Sequence, residues 1–446
     1  MSRIGLLFLA LSVPGGSWAA ETLTPERAVQ IAVSHHPGIR AADREVDSAS
    51  AGRDVAGSGY LPRIEVTEDF VRSTNPTFVF ASKLGQEIFS EADFDPALLN
   101  NPAPLNNSAL RVALRQSVWD AGRTHLHKQA AGLGIEEATS ARSRVRDEIA
   151  FGAVRAFWDA VLAGKMLEVA RAGEEAAQAA VDLAREQVDA GLAVPSDRMQ
   201  AEVRLAEVRA LRIRAEQGER VARAALRQAL GVAEEVEYLL EPPPVEPSEE
   251  DEADLEAQVP AALMSRADLQ SLDARRQQAE LGEKIARSGY LPEIGVGGQY
   301  EMNADTPFGA DGSNWSIGAT LRIPVYQGGE TSARRARARA DLARVEAYRE
   351  ALAEEVRFQV LSAAAERRGA AERLRAATSA LALADEALRI VRERYQAGMA
   401  VMVELIGAEA ARTSAQGNRV QAARDLAVSR AAHDLASGTP LAEPTR

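Results

Sequence analysis

The chain of 446 residues contains no cysteine, which excludes structural disulfides, thiolate metal sites and the lipidated N-terminal cysteine of bacterial lipoproteins. Aromatic residues make up only 5%, too little bulky material for one thick globular core. Basic charge is in deficit, with 52 Lys and Arg against 65 Asp and Glu, and nucleic acid demands a basic face instead. No apolar run reaches the roughly 20 residues of a membrane-spanning helix. Phosphate-cradling glycine loops, nucleophile elbows and metal-ligand clusters are missing too, so neither an enzyme nor a cofactor is expected. His35, His36, His125 and His127 make no metal site, because residues i and i+2 on a helix point apart.

What is there begins with Arg3, the apolar run Ile4 to Val13 and the small-residue site Ser17-Trp18-Ala19. This reads as a secretory signal over residues 1–20, so export is expected. The chain then repeats itself. "SGYLPRIEV" at 58–66 returns as "SGYLPEIGV" at 288–296, "VWDAGR" at 118–123 as "VYQGGE" at 325–330, and "VDAGLAV" at 188–194 as "YQAGMAV" at 395–401. Three matched phrases in one order mark a duplication: a first copy over 21–240, a proline-rich acidic link over 241–260 expected on the surface, and a second copy over 261–446. The offset falls from 230 to 207 between the first and second phrases, which places an insertion in the first copy, inside a long loop over about 73–108.

Each copy pairs strands with long helices. Period-2 alternation predicts strands over about 60–72, 109–119, 291–302 and 314–326. Trp315, Ile317, Ala319, Leu321, Ile323 and Val325 share one face, while Ser316, Thr320 and Arg322 share the other. Strands of about ten one-sided residues have the length that crosses a bilayer when tilted. Tyr60, Trp119, Tyr290, Trp315 and Tyr326 near strand ends suit a membrane interface. An ordinary hairpin with one wet face remains open on the strands alone. Residues 121–190 and 330–397 lack proline and predict long helices, the second with a heptad seam of Leu374, Leu381, Leu388 and Tyr395 and small residues between. Shorter tracts at 25–57, 196–231, 262–287 and 403–437 complete an expected antiparallel helical rod. The expected fold class is therefore mainly α with a β-barrel part. Four strands cannot close a barrel, and an open edge in lipid is costly, so several chains must share one.

Over nearly the whole mature chain this sequence resembles the TolC-like outer-membrane efflux proteins of Gram-negative bacteria. The "GYLP" strand starts, the "VWDAGR" and "VYQGGE" strand exits and the tip phrases "AGLAVPSD" and "YQAGMAVMVEL" carry the resemblance. It implies a homotrimer with a twelve-stranded barrel and a helical periplasmic tunnel, in the cell outer membrane among its lipids. It also implies a periplasmic adaptor and an inner-membrane pump of RND, ABC or MFS type. By the same resemblance Gly191, Leu192, Pro195, Ser196, Asp197, Gly398 and Met399 form the adaptor-docking tip. Glu404, with Tyr395 and Asp197, belongs to a periplasmic gate. Two departures stand out: Gly407 at a second ring position, and Ala400 where some relatives carry a locking arginine. Arg111, Arg115 and Arg322 are candidates for the barrel lumen. The alternatives are a periplasmic coiled-coil adaptor and a purely structural coiled coil, neither of which accounts for two tandem hairpins with four alternating strands.

Overall fold

The structure, a computed structural model, describes residues 21–191, 193–232, 236–251 and 255–441. The expected signal segment lies outside them. In chain order the elements are β1 (Glu21–Leu23), α1 (Pro25–His35), α2 (Pro37–Gly57), β2 (Arg63–Ser73), α3 (Pro76–Gly85), α4 (Pro96–Asn100), β3 (Leu105–Trp119), α5 (Arg123–Asp189) and α6 (Pro195–Leu230). There follow β4 (Tyr238–Leu240), α7 (Val259–Ser265), α8 (Ala267–Ser288), β5 (Glu293–Ala304), β6 (Gly312–Arg322), α9 (Glu330–Gln396) and α10 (Met402–Ser437). The chain forms two compact units. One takes in the residues up to Ala41, Ser143–Arg266 and those from Glu354 on; the other takes in Ala42–Arg142 and Ala267–Ala353.

The duplication is visible element by element. α5 and α9 have 67 residues each, and α6 and α10 have 36 each. Their heptad seam is real: Leu374 and Tyr395 are buried and Leu381 and Leu388 half-buried among exposed neighbours. In the first copy Glu174 interrupts the seam, and the arginines of α6 answer it, Arg209 at 3.1 Å and Arg212 at 2.6 Å.

The tracts expected to be continuous over 25–57 and 262–287 are each broken, at His36 and at Arg266. Pro37 accounts for the first break directly, because the residue before a proline is pushed out of the helical region. Packing accounts for both. α6 and α10 end at Gly231 and Gly438, whose φ angles of +70° and +75° favour glycine. A Cβ on Gly231 would lie 2.6 Å from His36 Cα, and one on Gly438 would lie 2.7 Å from Ser265 Oγ. The broken helix and the capping glycine therefore fit together as one joint, made twice.

The acidic link expected on the surface is partly internal. Asp251 is fully buried and accepts hydrogen bonds from Arg367 Nε at 2.7 Å, Arg430 Nη2 at 2.6 Å and Ser248 N at 3.0 Å. Burial pushes its carboxyl up, but the donors from Arg430, Ser248 and Arg367 outweigh burial and hold it well below the usual carboxylate range. Nearby, β1 pairs in parallel with β4, a pairing with no signal in the sequence.

In the other unit the four remaining strands form one antiparallel meander, in the order β2-β3-β5-β6. The strands begin later than expected, at Arg63 and Glu293, because Pro62 and Pro292 have no N–H to donate. β6 starts at Gly312 and stops at Arg322 rather than 326, two residues before Pro324. β3 starts earlier than expected, at Leu105, where it pairs with Ser73. The loop of the insertion is built structure: Asn75 and Asp95 cap α3 and α4 by accepting from backbone N–H groups, each with proline at the first helical position.

Candidate functional site: a two-faced sheet and a paired helical tip

The sheet register sorts the strand residues into two faces. Ile64, Leu114, Gly298 and Ile317 lie in one row across all four strands, and Val66, Val112, Tyr300 and Trp315 in the next. These side chains are exposed, Ile317 at 80% and Ile64 at 67%. A contiguous apolar face of this kind marks a surface made for another apolar phase. At a tilt of about 40° an eleven-residue strand rises about 28 Å, close to the height of the apolar band of an outer-membrane barrel. Tyr60, Trp119, Tyr290 and Tyr326 gather beside the strand-to-helix connections, with Trp315 toward the opposite end. No helix among the described residues is long and apolar enough to cross a membrane.

The opposite face is polar. One row reads Thr67, Arg111, Glu301, Asn314 and the next Glu65, Ala113, Gln299, Ser316. All three candidate lumen arginines lie on this face. Arg111 Nη2 reaches Glu301 at 2.7 Å and its Nη1 lies 3.8 Å from Asp69. Arg115 stands across from Arg63; neither it nor Arg322 forms an ion pair among the described residues.

The tip consists of two equivalent turns. Gly191 (φ +76°) ends α5 and Gly398 (φ +71°) ends α9; a Cβ on either would meet nothing, so the backbone angle alone calls for glycine. Pro195 opens α6, followed by Ser196 and Asp197. Asp197 and Glu404 occupy the same place in the first turns of α6 and α10, where a carboxylate suits the helix dipole. Met399 is exposed, as are Val194, Met199, Val203, Val401 and Val403. Leu192 lies outside the described residues. Beneath the turns Ala201, Leu205, Tyr395, Met402 and Leu405 share one core.

Among the described residues the Tyr395 hydroxyl bonds to neither of the other two gate candidates, Asp197 and Glu404. Burial first, and the charge of Asp197 second, push the Tyr395 hydroxyl above its ordinary pKa. Yet that hydroxyl is buried with no hydrogen-bond partner among the described residues, so no bond joins Tyr395 to Asp197. Glu404 faces Arg394, whose Nη1 lies 3.8 Å away while its Nη2 donates to the Met399 carbonyl at 3.1 Å. The sequence reading passed over Arg394. The signal was a basic residue in the last turn of α9, next to Tyr395; in the first copy its equivalent is Gln187. Further along α10, Glu409 borders a mostly apolar cavity of about 360 Å³ with Met166, Gly173 and Val208. Burial raises its carboxyl and Arg392, at 3.4 Å, partly offsets this.

The family model described as outer membrane efflux protein matches residues 28–232 and 259–439. Protein CyaE of Bordetella pertussis is 24% identical, over 98% of this chain and 91% of its own length. Two solved structures share the fold. The outer membrane channel CmeC of Campylobacter jejuni has 15% identity and a TM-score of 0.75, covering 98% of this chain and 94% of its own. A membrane protein from Pseudomonas aeruginosa has 17% identity and a TM-score of 0.77, covering 96% and 98%. With an exposed apolar sheet face, a polar reverse and duplicated helical pairs already in view, the match over most of its length means that this chain belongs to the outer membrane efflux protein family, whose members are channels and not enzymes.

Proposed function

We propose that three copies of the chain, the number its family resemblance implies, share one twelve-stranded barrel. Through it, substrates delivered by an inner-membrane pump and a periplasmic adaptor leave the cell passively. One observation carries this reading: the four-stranded sheet has an apolar exposed face, a polar reverse and two edges, β2 and β6, without partners among the described residues. In hydrocarbon each unpaired backbone group costs several kcal/mol, so those edges require further copies. Because the meander has an even number of strands, β6 of one copy runs antiparallel to β2 of the next, and a ring can close. Ile64, Val66 and Ile317 then face lipid, and Arg111, Arg115 and Arg322 face a water-filled lumen.

At the tip, Gly191, Pro195, Ser196, Asp197, Gly398 and Met399, with the exposed valines beside them, form the surface offered to the adaptor. Glu404 is the gate carboxylate, and Arg394 is its counter-charge. Three Glu404 side chains around a narrow mouth favour cations and bind a divalent ion, while each Arg394 weakens that field. The test is single-channel conductance of the detergent-solubilised protein in a planar bilayer. Glu404→Ala should give larger openings that divalent cations no longer block, and Arg394→Ala should block at lower divalent concentration than the unmodified protein. Folded protein that never conducts would sink the channel reading; conduction with both variants unaltered would remove Glu404 from the gate.

A further inference from the structure

The insertion in the first copy has a seat that the fold alone does not require. α3 lies on the polar face of the sheet: its Val79 and Ser82 are buried, and Gln86, just past its end, is 1% exposed. Gln86 Nε2 donates to the Asn106 carbonyl at 2.7 Å, to Asn107 Oδ1 at 2.8 Å and to the Ala304 carbonyl at 3.1 Å. Asn107 donates on to Asn303 at 2.9 Å, Asn303 donates to Glu301 at 3.0 Å, and Glu301 takes Arg111. This chain of bonds ties the insertion to the polar face alone. A Cβ on Gly312 would lie 2.3 Å from the Gly85 carbonyl, so β6 admits the insertion only because that position is bare. The anchor sits at the end of the sheet opposite the strand-to-helix connections.

Away from this seat the insertion leaves a set of large apolar side chains uncovered, alongside exposed Glu87, Glu91 and Asp95. Phe80, Leu84, Ile88, Phe94 and Leu98 are 36 to 64% exposed. They are held firmly: Phe89 stacks edge-on between Phe80 and Phe94, at centroid distances of 5.0 and 5.2 Å, and Lys83 pairs with Asp93. On the barrel reading proposed above, the polar face lines the lumen, so this apolar surface points toward the barrel axis, into water. Only another apolar surface relieves that, and symmetry places identical ones beside it. Twelve strands about 4.8 Å apart, tilted about 40°, enclose a circle about 24 Å across. Three helices of about 10 Å each fit side by side within about 22 Å, which leaves only a narrow path for water and ions.

We propose that residues 76–100 form an extracellular plug: three copies, one from each chain, pack their Phe80, Leu84, Ile88, Phe94 and Leu98 faces on one another at the barrel axis and narrow the exit to a constriction that still passes ions. The occupant of the apolar face is thus a second and third copy of this chain.

The absence of cysteine makes the test clean. Phe94→Cys and Leu98→Cys, each as the only thiol, are treated in intact trimers with a short bis-maleimide; the plug predicts covalent dimers from both. Conductance is then measured for a variant with 76–100 replaced by a short Gly-Ser turn and for the milder pair Phe94→Asp and Leu98→Asp, which alters only exposed side chains. Made in the Glu404→Ala background, where the inner mouth no longer limits the current, each should raise conductance at least about twofold over Glu404→Ala alone, because the outer constriction is removed. Trimers that neither cross-link nor conduct more in either variant would overturn the plug and leave the channel intact, including the case where the apolar face meets a separate extracellular partner. Folded protein that forms no trimer and no channel would instead overturn the barrel reading on which the plug depends.

Discussion

Asp251 shows how one buried charge can hold a linker in place. Its carboxylate faces two guanidinium groups, and Arg367 is nearly as buried as it is. Breaking such a set by removing one member is far costlier than never building it, because the partners stay behind uncompensated. Asp251→Asn should therefore lower unfolding stability by about 3–5 kcal/mol, read as a loss in denaturant midpoint at neutral pH. The pH dependence has a definite sign. The folded-state pKa lies below the unfolded value of about 3.9, so the group's contribution is complete above the ordinary carboxylate range and is lost as pH falls through the folded value. The gap between the native protein and Asp251→Asn should be constant from pH 8 to about 5 and shrink only in stronger acid. A gap that instead widened on mild acidification would contradict the geometry. None of this was visible in "EPPPVEPSEEDEAD", whose composition reads as solvated surface. The partners of Asp251 lie 116 and 179 positions away, and composition carries no such information.

At the scale of elements, the sheet makes a prediction about neighbours in sequence. Ile317 and Ser316 are adjacent, but the pleat sends one to the apolar face and the other to the polar face opposite Gln299. Ile317→Arg places a charge against hydrocarbon near the middle of β6 and should cost about 2–4 kcal/mol, seen as a lower melting temperature of the detergent-solubilised assembly. Ser316→Arg should change that temperature little. Equal losses from both would mean that neither face meets lipid. This much was legible in the sequence, because alternation states which residues share a face whatever the tertiary structure. Helix ends were equally legible, since Gly191, Gly398 and Pro195 are local signals; all four proline-free or capped tracts end within two residues of expectation. The breaks at His36 and Arg266 were harder. Pro37 announced the first, but the second has no proline and arises from the close approach of Gly438. The helices of the insertion carried readable caps in "NP" and "DP". Their seat on the polar face did not, because it rests on Gln86 reaching residues 21 and 218 positions away. Arg394 was missed for a similar reason: its meaning comes from Glu404, across a turn whose geometry a residue pattern does not specify.

For the whole molecule, the open question is how the sheet ends. β2 and β6 expose backbone donors and acceptors along eleven residues each, and an edge of that length in a monomer is a template for pairing with any chain that comes near. A head-to-tail contact between β6 of one copy and β2 of the next either closes into a ring or continues as a filament. Tilt and stagger decide which, since closure demands a fixed shear between first and last strand. A closed ring makes a direct prediction in a cysteine-free chain. Val66 faces outward on β2, and Trp315, Ile317, Ala319 and Leu321 face outward on β6. Pairing Val66→Cys with each of Trp315→Cys, Ile317→Cys, Ala319→Cys and Leu321→Cys in turn should give one double variant that oxidises to covalent dimers and trimers and no larger species, because only one register brings the thiols opposite each other. Covalent ladders beyond the trimer would mean an open chain of sheets or a larger ring. No cross-link in any of the four, in protein whose mass in detergent is that of a trimer, would place the contact between copies elsewhere than on these edges, and the barrel would have to be rebuilt from a different pairing.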